Sequence, residues 1–248
     1  MQLLTLLSLT LTLAFGTQQP SPESILEKGI QSIGGMRAID SMKSFEMHGV
    51  MRLANDTPVL EIELATAEGG KVLGVISFIG LGQSRFGSNG DVAWEQSFQA
   101  DQSIEWSLIG QQALTQKVQQ INWLEWITTL PMHLDSMVVV GKQEFNNEQC
   151  WEVVYTTQGN EKESAFFSCD TYRPMGRRTS EKTSSGPSIV DVMFKDWTSV
   201  ENLLLFKKVI FKRNETEISL AIDTIEIDSV PNGFFNLPHE IRALTPEK

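Results

Sequence analysis

The chain has 248 residues, 41% of them hydrophobic and 21% charged, with a formal net charge of −11. That composition supports a sizeable core and excludes a disordered chain. The acidic balance repels phosphate backbones and anionic headgroups, which argues against nucleic acid as a partner and against membrane attachment through charge.

Leu3 to Phe15 is apolar apart from Thr and Ser, and it carries no charge. It falls short of the about 20 residues that span a bilayer. Ala14 and Gly16 place small residues at the −3 and −1 positions of a cleavage site after Gly16. Residues 1–16 are therefore expected to be a signal peptide, and 17–248 a single periplasmic or secreted domain. A buried N-terminal strand or helix is the competing reading, because the segment lacks Lys and Arg. No later stretch is long and apolar enough to cross a membrane.

Ser21 is placed to cap a helix with Pro22 at its first position and Glu23 in its first turn. Ile25, Leu26, Ile30 and Ile33 share one face of it, and Gly34-Gly35 ends it. Met36 to Met42 adds another turn or two. The period then changes from 3.6 to 2. Phe45, Met47, Gly49, Met51 and Leu53 alternate with Glu46, His48, Val50 and Arg52, and Leu60, Ile62 and Leu64 alternate with Glu61 and Glu63. This is the pattern of antiparallel strands with one wet face. Lys71 to Ile79 reads as a third strand, the glycine-rich stretch from Gly80 to Gly90 as a turn, and Asp91 to Ser97 as a fourth strand.

Leu108 to Leu130 breaks the alternation. Leu114, Val118 and Ile121 recur at helical spacing, Trp123, Trp126 and Leu130 form a second apolar patch, and Pro131 is expected to stop the helix. Seven strands follow: Val138 to Phe145, Gln149 to Thr157, Glu163 to Asp170, Pro174 to Thr183, Ser188 to Trp197, Leu203 to Arg213 and Glu215 to Ile227. No linker divides two domains. The expected fold is mainly β with helices (α+β), a single antiparallel sheet of about eleven strands. A sheet that long curls into a half-barrel, and the helices are its natural cover.

Cys150 and Cys169 are the two cysteines. A two-residue turn at Gly159-Asn160 would pair residues whose numbers sum to 319, which sets the two cysteines opposite each other and predicts a disulfide. Two free buried thiols are the alternative.

The search for chemistry returns no catalytic residue, metal site or cofactor motif. Gly80-Leu81-Gly82-Gln83-Ser84-Arg85 lacks the third glycine of a dinucleotide fingerprint and lies between strands. His48, His133 and His239 are scattered. Glu61 and Glu63 share a strand face, but their alternation with Leu60, Ile62 and Leu64 makes that face solvated. Asn55-Asp56-Thr57 and Asn214-Glu215-Thr216 fit the glycosylation sequon.

The order of elements resembles the LolA/LolB-like superfamily of lipoprotein carriers, in an uncharacterised secreted branch. The resemblance rests on Asn89 to Trp94 (NGDVAW), Ala165 to Arg178 (AFFSCDTYRPMGRR), Phe234 to Ile241 (FFNLPHEI) and the opening from Ile25 to Leu53. It implies a curved half-barrel whose concave side holds acyl chains beneath its helices. The Arg-Pro pair with which the carriers close their lid is absent from Glu68 to Phe78. The expected function is an extracytoplasmic, non-catalytic and monomeric binding protein for an acyl chain, lipid or lipoprotein. Phe45, Met47, Met51, Leu60, Ile62, Leu64, Trp94, Trp123 and Trp126 are expected to line its cavity, with Gly49 leaving room among them. A structural or interaction protein of the cell envelope, with the same core filled, is the alternative.

Overall fold

The structure is a computed structural model that describes residues 19–245 except 100, 158, 184, 185 and 232. The expected signal peptide, 1–16, lies outside the described residues. The first helix, α1 (Pro22–Ser32), begins as its sequence dictates: Ser24 N–H donates to the Ser21 hydroxyl at 3.3 Å, and Ile25, Leu26 and Ile30 are buried along one stripe. A short α2 (Met36–Asp40) follows.

Six strands come next: β1 (Ser44–Leu53), β2 (Pro58–Ala67), β3 (Lys71–Phe78), β4 (Gly82–Asn89), β5 (Ala93–Phe98) and β6 (Ile104–Leu108). The helical segment then runs as α3 (Gln111–Ile121), α4 (Trp123–Thr129) and a 3-10 helix (Leu130–Ser136). Seven more strands follow: β7 (Val138–Phe145), β8 (Glu148–Thr156), β9 (Lys162–Ser168), β10 (Pro174–Thr183), β11 (Gly186–Val200), β12 (Leu203–Arg213) and β13 (Thr216–Ile227). A last helix, α5 (His239–Leu244), packs against β6.

All thirteen strands join one antiparallel sheet, in the order β6-β5-β4-β3-β2-β1-β13-β12-β11-β10-β9-β8-β7. The chain enters at the centre with β1, meanders out to the β6 edge, crosses to the β7 edge, and meanders back until β13 pairs with β1. The single edge-to-edge crossing is α3, α4 and the 3-10 helix. That is why the helices lie over one face of the curved sheet and bury its apolar side.

Three expectations need correction. The strand count is thirteen rather than about eleven. The added strands are β6, which is only five residues long, and β4, whose glycines predict a turn. Glycines occur in β4 because rings from β5 lie on them. A Cβ at Gly87 would stand 2.9 Å from the Trp94 ring, and one at Gly82 would stand 2.9 Å from the Phe98 ring. These glycines mark close approach rather than turning. Second, the helix does not run unbroken from Leu108 to Leu130. It breaks at Asn122 (φ −107°, ψ 85°), and the helical path continues past Pro131 as the 3-10 turn.

Third, the cysteines do not meet. Thr157 N–H donates to Glu161 O and Asn160 N–H to Thr157 O, each at 2.9 Å, so the turn is longer than Gly159-Asn160 alone. The register therefore slips by one residue: Thr156 faces Lys162, and Cys150 faces Ser168. A one-residue slip moves side chains to the other face. Both thiols are free, Cys150 fully buried and Cys169 half-buried.

Candidate functional site

The strands carry one apolar row across the helix-covered face. Met47 lies opposite Leu64 and Ile225, Gly49 opposite Ile62 and Ile222, and Met51 opposite Leu60 and Leu220. Phe45, Met47, Ile62 and Leu64 are buried in one continuous core with Leu114, Val118 and Ile121 of α3 and with Trp126. Met51 and Leu60 are partly buried and pack against its edge. Gly49 leaves no room: a Cβ there would lie 2.7 Å from Ala221 O and 3.1 Å from a Leu220 methyl. The glycine serves the β-bulge between His48 and Gly49 on the β13 side. The centre of the sheet is therefore packed.

Space remains on either side of α3. A largely apolar cavity of about 330 Å³ lies between the β1–β3 end of the sheet and the helices, walled by Phe45, Val72, Met42, Leu114, Val118 and Leu124. A hollow of about 20 Å³ touches Phe45 and Met47 beside it. Across α3 a second cavity of about 760 Å³ opens toward β8, β9 and β10, with a polar lining that includes Gln112, Gln116, His133, Tyr155, Glu163 and Arg177. Gln111 and Thr115, in the first two turns of α3, border both cavities.

Of the expected lining residues, Phe45 and Met47 reach the apolar space, while Ile62 and Leu64 fill the core between. Trp126 belongs to the polar side. Trp94 is on the opposite face of the sheet. The ladder Leu64–Gly74–Phe86–Glu95 runs along the helix-covered face without a register shift, so Trp94, next in the chain to Glu95, points away. It is buried there with its ring 5.5 Å from that of Trp106. Glu95 confirms the polarity of the ladder by pairing with Lys117 of α3 at 2.8 Å. Trp123 begins α4, and its side chain lies outside the described residues.

The polar cavity holds a chain of contacts that the sequence did not announce. Trp126 Nε1–H donates to the Tyr155 hydroxyl at 3.0 Å, and that hydroxyl donates to Glu163 Oε2 at 2.6 Å. The Thr179 hydroxyl donates to Glu163 Oε1 at 2.9 Å. Arg177 stands 3.8 Å from Glu163 Oε2, beyond hydrogen-bond distance, with its guanidinium 5.7 Å from the Trp126 ring. Burial, reinforced by the Glu163 carboxylate, holds the Tyr155 phenol well above its ordinary value, so it stays a protonated donor. These residues come from α4 and three separate strands. Glu163 and Thr179 are far apart in the sequence, and only the register of β8, β9 and β10 gathers these groups. Among the described residues no three His, Cys, Asp or Glu side chains converge as a metal site would need. On the sheet's other face, Phe145, Cys150, Phe166 and Met175 form a satellite core, and burial pushes the Cys150 thiol up to about 12.

Neither a protein-family model nor a curated protein matches the sequence. Solved structures do match in shape. A DUF1329 family protein from Desulfovibrio piger superposes with a TM-score of 0.55 at 9% identity, covering 90% of this chain and 99% of that one. A LolA superfamily protein from Nitrosomonas europaea gives 0.53 at 11% identity, covering 88% and 99%. A domain named for outer membrane lipoprotein sorting, from Vibrio parahaemolyticus, gives 0.50 at 11%, covering 86% and 97%. At such identities the likeness concerns the fold, and over nearly its whole described length this chain has the fold of the LolA-like superfamily.

Proposed function

We propose that the protein is an extracytoplasmic carrier that holds an acyl chain of a lipid or lipoprotein beneath α3. The observation that carries this reading is the apolar cavity of about 330 Å³ between the sheet and the helices. Cavities of about 300–1,000 Å³ are the usual size for small-molecule sites. Each buried methylene contributes about 0.8 kcal/mol, so an acyl chain gains affinity there without a dedicated polar contact. The names of two structures that share the fold, a LolA superfamily protein and a lipoprotein-sorting domain, support the same direction. The alternative, a non-catalytic interaction protein with a filled core, is favoured by the packed centre around Met47, Ile62 and Leu64.

Titration with a fluorescent fatty acid separates the two. The carrier reading expects saturable binding at one chain per protein, weakened about tenfold or more by Val118→Trp, which fills the cavity from α3. Absence of binding by the wild-type protein would leave the filled-core reading standing.

A further inference from the structure

The cavity across α3 is lined by polar and apolar groups together, more polar than the space on the β1–β3 side. Its walls carry the side-chain amides of Gln111, Gln112 and Gln116 and the hydroxyls of Thr115, Thr129 and Thr157. One group in it lacks a hydrogen-bonding partner. Arg177 Nε is buried without a hydrogen bond among the described residues, and the Glu163 carboxylate stands 3.8 Å from Nη1. The reason is local. Glu163 spends one oxygen on the Tyr155 hydroxyl and the other on Thr179, and β8–β10 fix all three strands around it. A half-buried guanidinium at a cavity wall whose Nε donor is unused is costly unless an acceptor arrives.

The charge of that acceptor is constrained. Arg177 and Glu163 are the formally charged residues in the described lining, and they cancel. The chain as a whole is at −11. An anionic head would meet one guanidinium and, beside it, a carboxylate. A hydroxyl-bearing uncharged head would accept from Arg177 and donate to the glutamine carbonyls with no such penalty. Gln111 and Thr115 border both cavities, so at the start of α3 only these side chains stand between the two spaces.

We propose that the polar cavity receives the uncharged, hydroxyl-rich head of the lipid whose acyl chain lies on the other side of α3, with Arg177 as its anchoring donor. This rests on the acyl-carrier reading and adds the class of ligand to it. Tyr155, held by Trp126, and Thr179 are positioning residues: they engage both oxygens of Glu163 and leave Arg177 Nε to the ligand.

Three probes sharing one oleoyl chain test it by displacement of a bound fluorescent fatty acid: monooleoylglycerol, methyl oleate and oleate. The glycerol ester is expected to bind about tenfold more tightly than the methyl ester, the worth of one charged hydrogen bond. Arg177→Met should erase that advantage and leave methyl oleate unchanged. Gln116→Leu, on the solvent-accessible side of α3, should reduce the advantage in part and guards against a folding defect in the Arg177 variant. Equal affinity for the two esters, or tightest binding of oleate, overturns the assignment of the head and leaves the acyl cavity intact. Failure of all three probes to bind overturns the carrier reading and this one with it.

Discussion

Tyr155 shows how far single residues were legible. Its place on an apolar alternation with Val153 predicts burial, and both are buried. What the alternation hides is the polar end of the ring, which joins Trp126 to Glu163 across two strands and a helix. Tyr155→Phe removes a hydroxyl that accepts one buried hydrogen bond and donates another. It leaves the indole N–H unpaired and one oxygen of Glu163 without its short partner. The expected cost is roughly 1–3 kcal/mol in chemical denaturation, with little change in packing volume. A variant as stable as the wild type would mean that water replaces the hydroxyl at the cavity wall. The cysteines illustrate the opposite limit. Their opposition followed from a turn length, and a turn longer by one residue sends the two thiols apart. A side-chain period of two makes such an inference as fragile as the turn beneath it.

At the scale of elements, strands with clean alternation were readable and β4 was not. β1 and β2 announce themselves because each has a wet face and a dry one, with Glu61 and Glu63 exposed while Ile62 and Leu64 are buried. In β4 the glycines hide the pattern, since a residue under a neighbouring aromatic ring must have no side chain at all. A Cβ at Gly87 would meet both the Trp94 ring and, at 2.8 Å, Val72 O. Gly87→Val should therefore cost roughly 1–3 kcal/mol, as overpacked positions do. Trp94→Leu in the same chain should recover part of that loss, because the ring is half of the clash. Thermal unfolding of the two single variants and the double variant measures the coupling. Additive losses would show that the backbone carbonyl alone sets the restriction.

For the whole molecule, a long antiparallel sheet and an interrupting helix were enough to expect a half-barrel with a cover, and the sheet's seam explains the rest. β1 and β13 lie some 170 residues apart in sequence yet pair along their length at the centre. The two meanders are thus locked together by that seam, while the crossing segment is held by contacts of its apolar stripe. The position of the cavities was not legible, because apolar alternation reads alike over packed and open space. The crossing segment is also weakly capped. α3 starts at Gly110 with no side-chain cap, has no acidic residue in its first turn and no basic residue in its last. Such helix ends fray readily, since their terminal amides and carbonyls lack local partners. The proposed ligand lies on both sides of α3, and the α3 region can yield without breaking the sheet. Hydrogen exchange should accordingly find amides of α3 opening well before those of β1 and β13, with free energies below the global value. Saturation with an acyl probe should slow α3 and leave the seam unchanged. Protection of α3 equal to that of the seam, and indifferent to the probe, would place the entrance elsewhere in the shell.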